Sequence, residues 1–157
     1  MLIRTIKLKK LLLYLGVTFA FGIIGALLGG GTGQIYSSIN KPPLSPPGIV
    51  FPIVWSILYF LMGIAAYFLS NEREAQTSDL LKLYWIQLVL NALWPLVFWR
   101  FEAYALAAVI IIAILILVII IAVKGFKINK LSAYLLIPYI LWLLFALYLN
   151  IGIAVLN

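Results

Sequence analysis

A chain of 157 residues that is 66% hydrophobic and 10% charged, with a mean hydropathy of +1.21, is far more apolar than a soluble domain, which runs roughly 45–50% apolar and about 25% charged. Its 11 Lys and Arg and 4 acids, net +7, are crowded into a few places and leave long stretches with no ionisable residue, the pattern of a membrane protein. With no Cys and no His, it lacks the groups for a disulfide framework, a thiolate nucleophile, a Ser-His-Asp triad, or a His- or Cys-ligated metal or haem.

Crossing about 30 Å of hydrocarbon takes roughly 20 apolar residues in a helix. Five charge-free stretches approach that length: residues 11–30, 49–69, 83–99, 104–123 and 131–156. A run such as 107–122 has none of the alternation of a barrel strand. The sequence therefore predicts an all-α bundle of five membrane-spanning helices forming one transmembrane domain over residues 1–157.

The first stretch follows Met1-Leu-Ile-Arg-Thr-Ile-Lys-Leu-Lys-Lys10, a basic run like the start of a secretory leader. Its apolar part outlasts a leader's core of roughly 7–15 residues and no Ala-x-Ala site follows, so it is expected to remain as a helix. Within it, Gly25-Ala-Leu-Leu-Gly29, extended by Gly22 and Ala26, is a small-residue motif that lets two helices approach closely. Such a motif serves either a homodimer face or packing inside one chain.

Residues 31–48 are too long for a plain turn, and Pro42, Pro43, Pro46 and Pro47 restrict their freedom. An ordered lid is the expected result. Tyr36 offers it a ring, and Lys41 offers a cation suited to a carboxylate-bearing ligand.

The second stretch sets Phe51, Trp55, Tyr59 and Met62 along one helical face, and the third does the same with Gln87, Asn91, Trp94 and Phe98. The fourth is almost wholly aliphatic, and no site residues are expected on it. The fifth presents Tyr139, Trp142, Ala146 and Asn150. Trp85, Tyr104 and Tyr134 near helix ends suit an interfacial belt, whereas Trp142 lies in mid-span. Amides in hydrocarbon need partners, either neighbouring helices or a ligand. Three converging stripes of rings with a few amides describe a pocket for a large, flat, mostly apolar molecule. Tyr59 and Met62 are the weak candidates for holding a metal, so a metal-free guest is expected, with no metal site and no required cofactor.

The connections at 70–82, 100–103 and 124–130 are short and predict antiparallel neighbours. Arg4, Lys7, Lys9, Lys10, Arg73, Lys82, Lys124, Lys127 and Lys130 fall on the N-terminal side, and Lys41 and Arg100 on the other. The N-terminus is thus expected in the cytoplasm and the C-terminus outside. The positive charge reads as topology and contact with membrane lipid, not as a nucleic-acid surface. Glu72, Glu74, Asp79 and Glu102 all lie outside the spans, which leaves no buried carboxylates for a proton relay.

Lys41-Pro-Pro-Leu-Ser-Pro-Pro47 leads into Val54-Trp-Ser-Ile-Leu-Tyr59; Gln87-Leu-Val-Leu-Asn91 with Trp94, Pro138-Tyr-Ile-Leu-Trp142 and Phe145-Ala-Leu-Tyr-Leu-Asn150 follow. In these motifs, in this order, the chain resembles the tryptophan-rich sensory protein / translocator protein family (TspO/MBR), also called peripheral-type benzodiazepine receptors. The resemblance implies a five-helix bundle, commonly a homodimer, in a bacterial-type plasma membrane. It also implies a pocket beneath the first loop that takes porphyrins and synthetic isoquinoline carboxamide or benzodiazepine-type ligands. Carried over, that pocket comprises Trp55, Tyr59, Asn91, Trp94, Tyr139, Trp142 and Ala146, closed by Pro42 and Tyr36; the stripes add Phe51 and Gln87. Leu44 stands where members often have Trp, and no basic residue follows Tyr148 to complete a sterol-type pattern. Receptor, light- and oxygen-dependent porphyrin-degrading enzyme using Trp55 and Trp142, and transporter are the three competing functions. The absence of an inverted repeat or a mid-membrane helix break disfavours the last.

Overall fold

Where no water reaches a backbone N–H or C=O, only structures that close their own hydrogen bonds survive. The computed structural model describes residues 6–30 and 32–157, and those residues form helices without a strand. They are α1 Leu8–Gly29, α2 Thr32–Ser38, α3 Val50–Ser70, α4 Thr77–Pro95, α5 Tyr104–Phe126 and α6 Lys130–Leu156, with a π-helical turn Leu96–Arg100 continuing α4. All but α2 are long and apolar enough to cross a membrane. Arg4, counted above toward topology, lies outside the described residues.

The helices outrun the charge-free stretches because charged residues at an interface can stay helical. Thus α4 begins at Thr77, with Asp79 in its first turn near the positive end of the helix dipole and Lys82 paired with it at 3.0 Å. Lys124 sits in the last turn of α5, where a cation is favoured. Asn129 starts α6 by accepting the Ser132 N–H at 3.0 Å. The predicted lid is not all irregular, since α2 occupies part of it.

The five spanning helices close a ring in the order α1, α3, α6, α5, α4 and back to α1. Helices α4, α5 and α6 are successive neighbours, as their short connections require. Helices α3 and α4 correct the expectation for their connection: α1 packs against both, and they touch chiefly through side chains in the bundle interior. Small residues make this possible. A Cβ on Gly63 of α3 would stand 2.9 Å from the Leu15 side chain, and one on Gly25 of α1 would stand 3.1 Å from Ala92 Cα on α4. The glycine motif of α1 is therefore used inside the chain: Gly25 and Gly29 are buried against α4, Gly22 lies on the Tyr59 ring, and of the four small residues only Ala26 is exposed. Thr18 and Tyr84 add a buried hydroxyl–hydroxyl bond of 2.6 Å between α1 and α4. At the N-terminal end, Lys10 Nζ donates to the Ser70 carbonyl at 2.7 Å and to Asn71 Oδ1 at 2.9 Å.

Helix α5 is more than a lipid-facing support. Ala107, Ile111, Ile114, Val118, Ile121 and Gly125 recur at helical spacing as its buried face against α4 and α6.

Close approach of α1 predicts a steep penalty for bulk. A Cβ on Gly29 would meet Pro95 Cβ at 2.9 Å, whereas one on Gly16 meets nothing within 4 Å. Gly29→Val is expected to destabilise by about 1–3 kcal/mol through overpacking, and Gly16→Val to leave stability unchanged or raised. Thermal unfolding in detergent, followed by circular dichroism, checks this; equal midpoints for the two variants contradict the packing.

Candidate ligand site

Beneath the first loop the aromatic stripes of α3, α4 and α6 face one another. Phe51 and Trp55 of α3, Asn91 and Trp94 of α4, and Trp142 and Ala146 of α6 line an internal cavity of about 40 Å³, roofed by Tyr36 and Ser45. Its walls share Tyr36, Phe51, Trp55, Asn91, Trp94 and Trp99 with an adjoining cleft of about 460 Å³ that reaches Tyr59 of α3 and Gly22 and Ala26 of α1. The inner space has room for a few water molecules, at about 10–15 Å³ each. The cleft falls within the roughly 300–1,000 Å³ of small-molecule sites.

Local backbone chemistry sets the α4 wall. Pro95 has no N–H to give and breaks the regular ladder, and beyond it the helix widens into the π-helical turn, with the Phe101 N–H reaching back to the Leu96 carbonyl at 3.1 Å. The consecutive residues Phe98 and Trp99 are both buried and both line the inner cavity. Trp94 stacks on Phe98 with centroids 4.7 Å apart, and Phe98 meets Trp99 edge-on at 4.6 Å. Trp94 Nε1 donates to Asn150 Oδ1 at 3.0 Å, and Asn150 Nδ2 donates to the Tyr104 carbonyl at 2.7 Å, so the indole is held from α6 and α5 together.

Under the cavity runs a chain of buried polar groups. The Tyr59 hydroxyl donates to Asn91 Oδ1 at 2.8 Å, Asn91 Nδ2 donates to the Tyr139 hydroxyl at 2.6 Å, and that hydroxyl donates to Gln87 Oε1 at 2.8 Å. Gln87 Nε2 ends the chain on Met62 Sδ at 3.8 Å. An amide offers two N–H donors and two acceptor lone pairs. These bonds use one of each on Asn91, and the remainder suits a ligand at the boundary of cavity and cleft. The Trp142 indole N–H is buried with no protein partner, a condition native structures rarely leave unmet, while the residue lines the cavity.

The roof is fastened at several points. The Tyr36 ring packs edge-on against Phe51 at 5.2 Å and Trp99 at 6.1 Å, and its hydroxyl donates to the Pro46 carbonyl. Burial pushes the Tyr36 phenol above its ordinary value, against a smaller opposite pull from Ser45, so the donated proton stays in place through neutral pH. Tyr148 on α6 donates to the Pro43 carbonyl at 2.7 Å, and Asn157 Nδ2 to the Asn40 carbonyl at 2.9 Å. Leu44, at φ +67°, is 83% exposed at the tip of the loop. The ring that the loop gives to the cavity is that of Tyr36.

Tyr36, Phe51, Trp55, Asn91, Trp94, Trp142 and Ala146 are thus gathered around the inner cavity, and Tyr59 lines the cleft. Gln87 and Tyr139 are not at the surface of either; both are sealed in the polar chain beneath. Pro42 does not line the site but lies on α6, where a Cβ on Gly152 would strike its ring. Lys41 is not aimed at a ligand: its Nζ donates to the Tyr36 and Ile39 carbonyls at 2.7 and 3.1 Å, near the end of α2, and lies 4.9 Å from the Tyr36 ring centroid. Met62 is fully buried outside the cavity wall. Against expectation, α5 contributes Ile111 and Ile114. Aliphatic residues look alike whether they face lipid or ligand, so the sequence carried no signal for them. Trp99 was also missed, although Pro95 inside an apolar run was a sign that the helical spacing would change.

The sequence model of the TspO/MBR family matches residues 14–156. Protein CrtK of Rhodobacter capsulatus is 30% identical over 88% of this chain and 92% of its own length. Tryptophan-rich protein TspO of Archaeoglobus fulgidus is 33% identical over 96% of this chain and 99% of its own. Translocator protein of Bos taurus is 32% identical over 82% of this chain and 79% of its own.

The polar chain predicts a specific weakness. Tyr139→Phe leaves Gln87 Oε1 and Asn91 Nδ2 without their buried partner, at a cost of about 1–3 kcal/mol for each group left unmet. Tyr148→Phe removes only an exposed bond. Thermal unfolding of both variants is expected to show the larger drop in midpoint for Tyr139→Phe; the reverse order contradicts the network.

Proposed function

The chain belongs to the TspO/MBR family, and from that premise we propose that this integral membrane protein is a receptor for a porphyrin-type tetrapyrrole. In this reading the same site also accepts drug-like isoquinoline carboxamide or benzodiazepine-type molecules. The observation that carries the reading is the wall of the site: rings from three spanning helices and the lid, interrupted by the amide of Asn91 and the unpartnered N–H of Trp142. Such walls favour a broad, flat, apolar molecule by stacking, while the few polar atoms fix its orientation. The cleft offers the entry volume, and the tight inner pocket supplies rings for the leading edge of the guest.

Metal-free protoporphyrin titrated into the detergent-purified protein in the dark is expected to quench Trp fluorescence saturably. Asn91→Leu and Ala146→Phe are expected to weaken that binding by about tenfold, the equivalent of about 1.4 kcal/mol. Non-saturable quenching defeats the receptor reading. A second reading rests on Trp55 and Trp142 lining one cavity: oxidation of the bound porphyrin in light and oxygen, with the indoles as redox-active groups. Under illumination, bleaching that requires protein and oxygen and is lost in Trp55→Phe or Trp142→Phe supports it; stable absorbance removes it.

We also place the N-terminus in the cytoplasm of a bacterial-type plasma membrane and the lid outside, from the excess of Lys and Arg at the N-terminal end. Working as a homodimer, the protein would draw on a face other than Gly25 and Gly29, which α4 covers. The natural absence of Cys allows a clean test of orientation. In intact cells, an impermeant thiol reagent is expected to label Ser37→Cys and spare Arg73→Cys; the opposite pattern inverts the topology.

A further inference from the structure

The cleft beside the inner cavity lies where α1 and α3 part. The two helices come together at Leu15 and Gly63, where a Cβ on the glycine would stand 3.2 Å from Leu15 Cα. Farther along, α1 is drawn onto α4 instead: Cβ atoms on Gly25 and Gly29 would stand 3.1 Å from Ala92 Cα and 2.9 Å from Pro95 Cβ. At Gly22 the space toward α3 is filled by the Tyr59 ring, and beyond it the cleft opens between Ala26 on one side and Pro52 and Trp55 on the other.

Ala26 and Pro52 are both exposed, and each lies within a turn of the lid-side end of a helix able to span the membrane. Spans of this length match the hydrocarbon, so the opening faces the border of acyl chains and headgroups. Of the described residues that line the cleft, none is charged. The roof is fastened on its α6 side, by Tyr148 and Asn157 and by the seat of Pro42 against Gly152. On the α1 side its edge is Gly48 and Ile49, and Ile49 is 66% exposed. Ala26 is also the member of the glycine motif that α4 does not cover, and a larger side chain there would extend from the wall into the mouth of the cleft.

We propose that this mouth, framed by Ala26 and Pro52, is the entrance of the site: the guest passes sideways between the lid-side leaflet and the aromatic pocket while the roof stays fastened. The proposal rests on the receptor reading above. It assigns Ala26 a role in access and leaves the holding of the guest to the rings and Asn91. A molecule with a flat apolar body and a polar edge suits such a route, since its body can slide in from acyl chains while its edge stays among headgroups.

The test uses the full chain in phosphatidylcholine vesicles and has two arms. The first contains no guest: phosphatidylcholine brominated on its acyl chains is expected to quench the emission of Trp55, taken as the difference between the unaltered chain and Trp55→Phe, and Ala26→Phe is expected to remove most of that quenching. The second follows metal-free protoporphyrin by stopped-flow in the dark. Ala26→Phe is expected to slow entry and release alike by about tenfold, a barrier higher by about 1.4 kcal/mol, with Kd nearly unchanged; Ala26→Leu should act in the same direction by less. Leu27→Phe, on the lipid face of the same helix and 74% exposed before substitution, should change neither rate. Faster release in Ala26→Phe makes residue 26 part of the seat and overturns the entrance. Unchanged rates in Ala26→Phe, with both rates raised by Tyr148→Phe, place the route through the lid and overturn it as well. If protoporphyrin binds to none of the proteins, the receptor reading falls by itself; loss of bromine quenching in Ala26→Phe then still upholds the opening to lipid, and unchanged quenching overturns it.

Discussion

Amides and hydroxyls buried in a lipid-embedded bundle have only one another to bond with, and the fold depends on how that is arranged. Tyr59, Asn91, Tyr139 and Gln87 bring α3, α4 and α6 to a common point through bonds of 2.6 to 2.8 Å. Dispersion between aliphatic faces has little directional preference, so these bonds fix the rotation of each helix about its axis. Once the rotations are fixed, Trp55, Trp94 and Trp142 have to face inward, above the polar chain. The site and the structural core are therefore built on the same atoms. Asn91 belongs to both, spending half of its bonding capacity on the bundle.

The roof follows a different logic. Residues 39–49 form no spanning structure, yet polar contacts from Asn40, Tyr148 and Asn157 and the apolar seat of Pro42 on α6 hold them down. Individually these are modest, exposed bonds. Together they make a cover whose release needs several small losses in place of one large one.

Much of this was legible in the sequence, for identifiable reasons. Charge-free length gave the spans, because lipid imposes that length directly. The stripes through Phe51, Trp55 and Tyr59, through Asn91 and Trp94, and through Trp142 and Ala146 gave the walls, because helical spacing converts to a shared face. What failed was information about partners. Gln87 and Tyr139 have the same spacing as the wall residues, and only three-dimensional contact shows that they satisfy each other. Lys41 read as a free cation because a sequence does not show which carbonyls lie within reach. The route of the ring was equally hidden: α1 sits against both α3 and α4 because Gly63, Gly25 and Gly29 admit it, and a glycine motif does not say which helix it will meet.

The π-helical turn after Pro95 holds one more residue than an α-helical turn of the same rise. That surplus residue lets neighbours in sequence, Phe98 and Trp99, both face the cavity. The segment is thereby constrained in length as well as in composition. Deleting a single residue between 96 and 100 would restore regular helix and turn one of the two rings toward lipid, even if every remaining aromatic were kept. In comparisons among descendants of such a sequence, gaps in this short stretch should be scarcer than substitutions.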